Sequence, residues 1–198
     1  MKGKVVFVDT ETGGLDPLKH SLLSIGVAIV QDGAVVDTMY TLVREPEIIA
    51  EESALKINGL TVDEVYEKGV TPLQAVNMLV SLLQKNGIFK NAQFAAHNAP
   101  FDKPFVKRMF ELAGKKMDSV FSYRPLCTQT GALMLDLAER IYLPGGSASL
   151  DNLVKLWNIK LDRSAGHNAL NDAIAGAHVL VKELELMHGN PANSVARS

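Results

Sequence analysis

The chain has 198 residues, of which 47% are hydrophobic and 21% are charged. These values are typical of one globular domain with a sizeable core. The sequence contains no apolar run near the roughly 20 residues of a membrane-spanning helix, so no membrane contact is expected. The net charge of −2 argues against a broad basic surface that coats long duplex nucleic acid. Any nucleic-acid contact should therefore be short and local.

The single cysteine, Cys127, excludes an internal disulfide bond. One unpaired cysteine agrees with a reducing compartment, so a cytoplasmic location is expected. The apolar surroundings of Cys127 favour simple core packing. The sequence shows no internal repeat or linker, which predicts a single domain over residues 1–188 and a disordered tail over 189–198.

The first part of the chain predicts three consecutive strands. Residues 4–9 are apolar on both faces, as in a central strand. Residues 21–30 and 35–43 follow as strands, and the Gln-Asp-Gly sequence at 31–33 between them is typical of a hairpin turn. Three strands in this order predict an antiparallel meander.

The rest of the chain predicts helices that alternate with one further strand. The strand covers 92–97, and the helices cover 47–57, 71–87, about 100–113, 126–140, a segment that begins at 149, and about 168–187. This order of elements favours the α/β class, with a mixed central sheet, an N-terminal three-strand meander and flanking α-helices.

Carboxylates stand at the ends of several of these elements. Asp9 and Glu11 follow the first apolar run, and their spacing of two points both to one face of a strand. Asp102 falls in the first turn of the helix after the fourth strand. Asp172 lies inside the last helix, five residues after His167, among alanines and a glycine. Such small residues let a helix approach a sheet closely, which would bring Asp172 beside Asp9.

Four carboxylates that converge on one place repel one another strongly. Oxygen-rich acidic clusters are the usual sites of hard cations such as Mg²⁺ or Mn²⁺. Two such ions about 4 Å apart can hold the attacking and leaving oxygens of a phosphodiester in line. A water nucleophile needs a base that titrates near neutrality, and His167 is the natural candidate.

Three short motifs carry a family resemblance: DTETGGLDP at 9–17, HNAPFD at 97–102 and HNALNDA at 167–173. In this order they resemble the motifs of the DEDDh 3′–5′ exonuclease family, which contains the epsilon proofreading subunit of bacterial DNA polymerase III and ribonuclease T. The segments INGLT at 57–61 and SLDNL at 149–153 extend the resemblance. It spans roughly residues 4–185.

The resemblance implies an RNase H-like fold with a two-metal site. It implies that Asp9, Glu11, Asp102 and Asp172 bind two divalent ions, Mg²⁺ or Mn²⁺, and that His167 is the general base. The same five residues are the expected catalytic set.

The resemblance also implies a pocket for the 3′ end of a nucleic acid. Thr12 would lie near the terminal 3′-hydroxyl, and Leu15 would wedge against the terminal bases. Asn98 and Phe101 would support the second motif and the pocket wall. Gly13 stands where many members of the family carry a second threonine, and it is counted with this substrate-binding set.

The expected function is a metal-dependent 3′–5′ exonuclease that acts on single-stranded or frayed DNA and releases nucleoside 5′-monophosphates. One alternative is an RNA-trimming enzyme of the ribonuclease T or oligoribonuclease kind, because the motifs do not separate the two substrates. A less favoured alternative is a non-catalytic nucleic-acid-binding accessory of a polymerase. The expected partners are single-stranded 3′ ends. Association with a polymerase is left open, although the sequence shows no long C-terminal tether.

Two further features have competing interpretations. A basic run on and after the second-motif helix is either a solvated helix face or a contact surface for phosphates. Its members are Lys103, Lys107, Arg108, Lys115 and Lys116. His97, which precedes Asn98, is interpreted as a structural residue and not as a metal ligand.

Overall fold

The computed structural model describes residues 3–164 and 166–189. Within these residues, the strands are β1 (Lys4–Thr12), β2 (Leu22–Gln31), β3 (Ala34–Leu42), β4 (Gln93–Ala96) and β5 (Leu126–Cys127). They form one sheet in the order β3-β2-β1-β4-β5. The first three strands pair antiparallel, whereas β4 pairs parallel with both β1 and β5. The predicted meander and mixed sheet are therefore confirmed.

The helices of the described residues are α1 (Glu52–Asn58), α2 (Val62–Lys68), α3 (Pro72–Lys85), α4 (Ala99–Leu112), α5 (Thr128–Leu137), α6 (Leu150–Leu156) and α7 (Ala169–Met187). Local sequence explains several of their ends. Thr71 and Gln74 form a capping box at the start of α3, and side chains of Ser149 and Asn168 cap α6 and α7. Each cap satisfies backbone N–H groups that a helix leaves unpaired.

Strand β1 is buried on both faces because helices cover the sheet from both sides. Val6 and Val8 pack with side chains of α3 and α4, among them Phe105. Val5 and Phe7 point the other way and pack against the alanines of α7. The alternation places Asp9 and Glu11 on the α7 side of the strand, at the end of the buried apolar run.

The segment before α1 differs from the sequence prediction. A helix was expected from residue 47, but α1 begins at Glu52. The reason is that the backbone of this segment pairs with the loop after β1: the Ser21 N–H donates to the Ile49 carbonyl at 2.9 Å, and the Glu51 N–H donates to the Gly13 carbonyl at 2.7 Å. A carbonyl and an N–H used in this way are not available to a helix.

Two short elements were not predicted. Helix α2 has seven residues and begins at Val62, after the N-cap residue Thr61, whose hydroxyl accepts from the Glu64 N–H at 3.1 Å. Strand β5 has two residues at the start of the segment predicted as helix 126–140. Both are shorter than the window over which hydrophobic periodicity identifies an element.

Helix α7 approaches the sheet at backbone contact distance. A Cβ atom at Gly176 would lie 2.3 Å from the Phe7 ring, and one at Gly26 would lie 2.1 Å from the Ala169 carbonyl oxygen. Gly26 is the antiparallel partner of Asp9 in the sheet. Because Ala169 rests on this glycine, Asp172, three residues further along α7, is held beside Asp9.

Among the described helices, none has both the length and the apolar character that crossing a bilayer requires. The tail predicted for residues 189–198 lies outside the described residues, apart from Gly189.

We expect the Gly176→Ala substitution to lower the free energy of unfolding by about 1–3 kcal/mol, because the added methyl group overlaps the buried Phe7 ring. Urea unfolding followed by circular dichroism measures the change. His178→Ala, at an exposed position of the same helix, is the control and should change the value by less than about 0.5 kcal/mol. Equal stability of Gly176→Ala and wild type would show that α7 does not pack this closely.

Candidate active site

A pocket of about 400 Å³ lies at the carboxyl end of β1. The three motifs line it together with α1 and the start of α6. The structure brings nine of the ten predicted site residues to this pocket: Asp9, Glu11, Thr12, Leu15, Asn98, Phe101, Asp102, His167 and Asp172. Gly13 does not line the pocket and is placed elsewhere, as described below.

The first two carboxylates come from β1 itself. Asp9 is half-buried, and Glu11 is 7% exposed. One carboxylate oxygen of Glu11, Oε1, is buried without a hydrogen-bond partner among the described residues. A buried oxygen without a donor is unfavourable unless something else, such as a proton or a cation, satisfies it.

The third carboxylate, Asp102, is fixed by the strand beside it. Its Oδ1 accepts from the Thr10 N–H at 3.0 Å and from the Thr10 hydroxyl at 2.8 Å. The chain turns sharply from β4 into α4 at Asn98, which has a left-handed backbone with φ of 68°. Phe101 packs on Phe105 with ring centroids 5.2 Å apart. This corner sets Asp102, in the first turn of α4, against the end of β1.

The fourth carboxylate has two cationic or titratable neighbours. His167 Nδ1 lies 3.4 Å from Asp172 Oδ2, and the Arg163 guanidinium contacts Asp172 Oδ1. Arg163 also lies 3.2 Å from Asp151 Oδ1. The backbone N–H of His167 donates to the Ile57 carbonyl at 3.2 Å. The end of α1 therefore holds the segment that carries His167 at the pocket rim.

Burial raises the pKa of all four carboxyl groups, and the negative charge of a neighbouring carboxylate adds to the shift in each. Burial is the largest cause in each case. It raises the pKa of Glu11 to about 8, helped by the Asp172 charge and opposed by Arg163. Burial raises the pKa of Asp102 to about 7, although the Thr10 hydrogen bonds oppose the shift. The pKa of Asp9 is raised well above its ordinary range by burial and by the charges of its three neighbours.

The donor set fits divalent cations. Ligand atoms of Glu11, His167 and Asp172 lie within 4.8 Å of one another, and Glu11 has an oxygen with no other partner among the described residues. Asp9 and Asp102 are close enough for their charges to perturb each other. Hard cations prefer carboxylate oxygens of this kind, and a cation would oppose the pKa elevation.

The predicted pocket wall is only partly placed as expected. Thr12 is buried, and its hydroxyl donates to the Gly14 carbonyl at 2.8 Å. Leu15 lines the pocket and is 81% exposed. Gly13 lies against the segment before α1, where a Cβ atom would be 2.2 Å from the Ile49 carbonyl oxygen. A threonine cannot occupy this backbone position without movement, which explains the glycine, and the assignment of Gly13 to substrate binding stays a prediction.

Sequence reasoning did not select three polar residues that line the pocket: Asn58, Asp151 and Arg163. The amide of Asn58 donates to the Thr12 carbonyl at 2.9 Å. Asn58 and Asp151 belong to the INGLT and SLDNL segments, whose resemblance to the exonuclease family could have indicated them. Arg163 stands in a loop without a motif, so no pattern in the sequence indicates it.

His97 has the structural environment that was expected for it. Its Nδ1 lies 2.9 Å from the Thr128 hydroxyl, and burial lowers the pKa of its ring to about 4. A ring that stays neutral and bonded to a hydroxyl supports the packing of β4 against α5.

The basic run begins on α4 and continues past its end at Leu112. Lys107 pairs with Glu111 at 3.5 Å, and Lys103 contacts the Tyr123 carbonyl. Arg108 pairs with the buried Glu45 at 2.9 Å. Three of the five charges therefore have partners within the protein.

The fold and the acidic pocket together define a hydrolase of the nuclease class. The chain belongs to the exonuclease family, because that family's model matches residues 6–180. This confirms the resemblance found in the three motifs, the α/β fold of the RNase H-like type and the assignment to an exonuclease.

Similar proteins include DNA polymerase III proteins. The chain is 28% identical over 196 residues to the PolC-type DNA polymerase III of Caldanaerobacter subterraneus, covering 99% of this chain and 13% of that protein. It is 25% identical over 175 residues to the DNA polymerase III subunit epsilon of Buchnera aphidicola, covering 86% of this chain and 70% of that protein. The chain thus spans only about an eighth of the PolC-type relative.

A solved structure shares the fold. The zinc-bound form of the E. coli exonuclease I complex with single-stranded DNA superposes with a TM-score of 0.74 at 19% identity. The match covers 96% of this chain and 42% of that one. At this identity the likeness concerns the fold alone.

We expect the metal-free protein to lose stability as the pH rises from about 5 to about 9. The folded pKa of Glu11 and Asp102, about 8 and about 7, lies above the ordinary values of 4.5 and 3.8, so the stabilising protons are lost in this range. Mn²⁺ binds the ionised groups, so it should raise the melting temperature more at high pH than at low pH. Melting curves with and without Mn²⁺ measure this. A Mn²⁺ effect that does not change with pH would contradict the linkage.

Proposed function

We propose that the chain is a metal-dependent 3′–5′ exonuclease that shortens single-stranded or frayed DNA ends and releases nucleoside 5′-monophosphates. The observation that carries this proposal is the convergence of Asp9, Glu11, Asp102 and Asp172, each with a raised pKa, in one open pocket. Membership of the exonuclease family supports it.

The four carboxylates would hold two divalent ions, Mg²⁺ or Mn²⁺. When bound, such ions lower the pKa of a water molecule and neutralise charge on a phosphodiester. The protein's own contribution is to hold the carboxylates in place. Thr10 fixes one oxygen of Asp102, and the glycine contacts of α7 fix Asp172 relative to β1. The backbone of the ligand set is therefore already in place, whereas the Arg163 guanidinium must leave Asp172 Oδ1 before that oxygen can bind a cation.

His167 is proposed as the general base. Its side chain is 43% exposed at the rim of the pocket, so it can reach a water molecule that attacks the phosphorus. The Asp172 carboxylate orients one ring nitrogen and would stabilise the imidazolium that forms when the ring accepts a proton. The contact to Ile57 keeps the backbone of His167 from moving away.

The pocket wall suits the last nucleotide of a strand. Leu15 and Phe101 supply apolar surface, and the exposed Asn98 supplies an amide. Apolar and aromatic side chains stack on bases with little sequence preference. We propose that Leu15 contacts the terminal base pair or the last two bases of a frayed end, and that the Thr12 region lies near the 3′-hydroxyl.

The relatives support DNA over RNA as the substrate. Two of them are named as DNA polymerase III proteins, and the structural neighbour contains single-stranded DNA. The same names support association with a DNA polymerase, and the sequence-based expectation of a cytoplasmic location belongs to the proposal as well. RNA trimming is the second candidate, because recognition of the 2′-hydroxyl depends on details of pocket shape.

We expect Asp102→Asn to reduce hydrolysis of a 3′-labelled oligonucleotide to the background rate, because it removes a ligand while keeping the side-chain volume. We expect His167→Gln to lower kcat by about 10²–10⁴-fold, the usual contribution of a general base. EDTA should abolish wild-type activity, and Mn²⁺ should restore it. Asp63→Asn makes the same chemical change at an exposed position of α2 and should leave the rate unaltered. Full activity of an Asp9→Ala/Asp172→Ala double variant would refute the mechanism.

The substrate is tested by digestion of matched single-stranded DNA and RNA oligonucleotides under identical metal conditions. We expect DNA to be shortened faster, with nucleoside 5′-monophosphates as the product on a denaturing gel and by mass spectrometry. Faster digestion of RNA would favour the trimming enzyme. Tight binding of either strand without any hydrolysis would favour the non-catalytic accessory.

A further inference from the structure

The loop between β1 and β2 carries two exposed leucines at the edge of the pocket. We call residues 13–20 the lip. Leu15 is 81% exposed and Leu18 is 87% exposed. Side chains this exposed do little to hold a loop in one position, because they bury almost no apolar surface. The position of the lip must therefore depend on its other contacts, which include the His20–Glu51 pair at 3.2 Å and several backbone hydrogen bonds.

A buried ion pair supplies one of these contacts. The Glu45 carboxylate is 1% exposed and accepts from Arg108 Nη2 at 2.9 Å and from Arg108 Nε at 3.2 Å. It also accepts from the N–H of Leu22, the first residue of β2, at 3.1 Å. The remaining terminal nitrogen of Arg108, Nη1, donates to the carbonyls of Pro17 and Leu18 at 3.2 Å and 3.4 Å.

Arg108 bridges Glu45 and the lip, so all three of its guanidinium nitrogens already have partners within the protein. The Nε, Nη1 and Nη2 atoms all contact the protein. A planar guanidinium with several donors can hold a carboxylate and carbonyls at the same time, which a lysine ammonium does less well. Arg108 therefore differs from Lys107, its exposed neighbour on α4, whose partner is Glu111 on the same helix.

Helix α4 connects the bridge to the candidate chemistry. The same helix carries Asp102 and Phe101 in its first turn and Arg108 about two turns later. The Arg108–Glu45 pair thus joins the element that positions a proposed metal ligand to the element that presents Leu15. Movement of one relative to the other would break the charge-assisted hydrogen bonds from Arg108 to the Pro17 and Leu18 carbonyls, of which the first is partly buried.

We propose that Arg108, held by Glu45, is a positioning residue that fixes the lip relative to α4 and so sets where the penultimate base of a 3′ end meets Leu15. The inference rests on the proposed exonuclease function. It concerns strands with at least two bases, since a substrate with one base offers nothing for a wedge to separate. Loss of the bridge should therefore weaken the use of a strand and spare a minimal phosphodiester.

The test compares two substrates, a single-stranded oligothymidylate and the p-nitrophenyl ester of thymidine 5′-monophosphate. The main variant is Arg108→Met/Glu45→Gln, which avoids leaving an unpaired buried carboxylate. We expect its KM for the oligonucleotide to rise about tenfold, with kcat for that strand and both constants for the ester within about twofold of wild type. Lys107→Met, which removes a charge from the same helix, should leave all constants near wild type.

Arg108→Lys keeps the charge but loses the planar guanidinium with its several donors, so it should also raise KM for the oligonucleotide. Melting curves establish that each variant is folded. An equal loss on both substrates would overturn the positioning role in favour of a general structural one. Equal increases in KM for Lys107→Met and the double variant, or a normal KM in Arg108→Lys, would overturn it in favour of simple attraction of phosphates.

Failure of the positioning role of Arg108 can be distinguished from failure of the proposed exonuclease function. If wild type hydrolyses neither substrate, the exonuclease proposal fails. Binding of a fluorescent oligothymidylate, measured by anisotropy, then tests the lip directly. The double variant must still bind about tenfold more weakly than wild type and Lys107→Met, and equal binding would overturn the inference.

Discussion

The electrostatic repulsion among Asp9, Glu11, Asp102 and Asp172 is the constraint on which the rest of the structure depends. Placing several carboxylates in one poorly hydrated pocket raises the pKa of each of them. The protein offsets part of this cost with two hydrogen bonds from Thr10 to Asp102 and with the Arg163 guanidinium on Asp172. Because the protein offsets only part of the repulsion among these carboxylates, the cluster is well suited to bind cations, which can supply the remaining positive charge.

The fold keeps these charges together by backbone contact. Gly26 and Gly176 let α7 touch β2 and the Phe7 ring, which allows Asp172 to lie close to the end of β1. The apolar side chains around β1 make the strand end rigid on its other side. The stability of the core thus maintains the unfavourable placement of several carboxylates close together, as is common at functional sites.

Sequence patterns predicted the parts of this arrangement that follow from periodicity and motif. The two-residue spacing of Asp9 and Glu11 and the small residues around Asp172 were sufficient to predict which side chains meet. The contacts of Arg163 and Arg108 were not predictable, because each joins segments that are distant along the chain and depends on side-chain paths through loops. The shortened α1 has the same origin: its expected first turn pairs with the loop after β1 instead. The close approach of Gly13 to the Ile49 carbonyl was not predictable either, and the assignment of Gly13 to substrate binding stays a prediction.

The central claim is that the four carboxylates form a site for divalent cations. Anomalous diffraction from crystals grown with Mn²⁺, recorded near the manganese absorption edge, tests it most directly. We expect anomalous peaks among Asp9, Glu11, Asp102 and Asp172, with the Arg163 guanidinium displaced from Asp172. Crystals of a folded protein at saturating Mn²⁺ that show no peak there, with Arg163 still on Asp172, would contradict it.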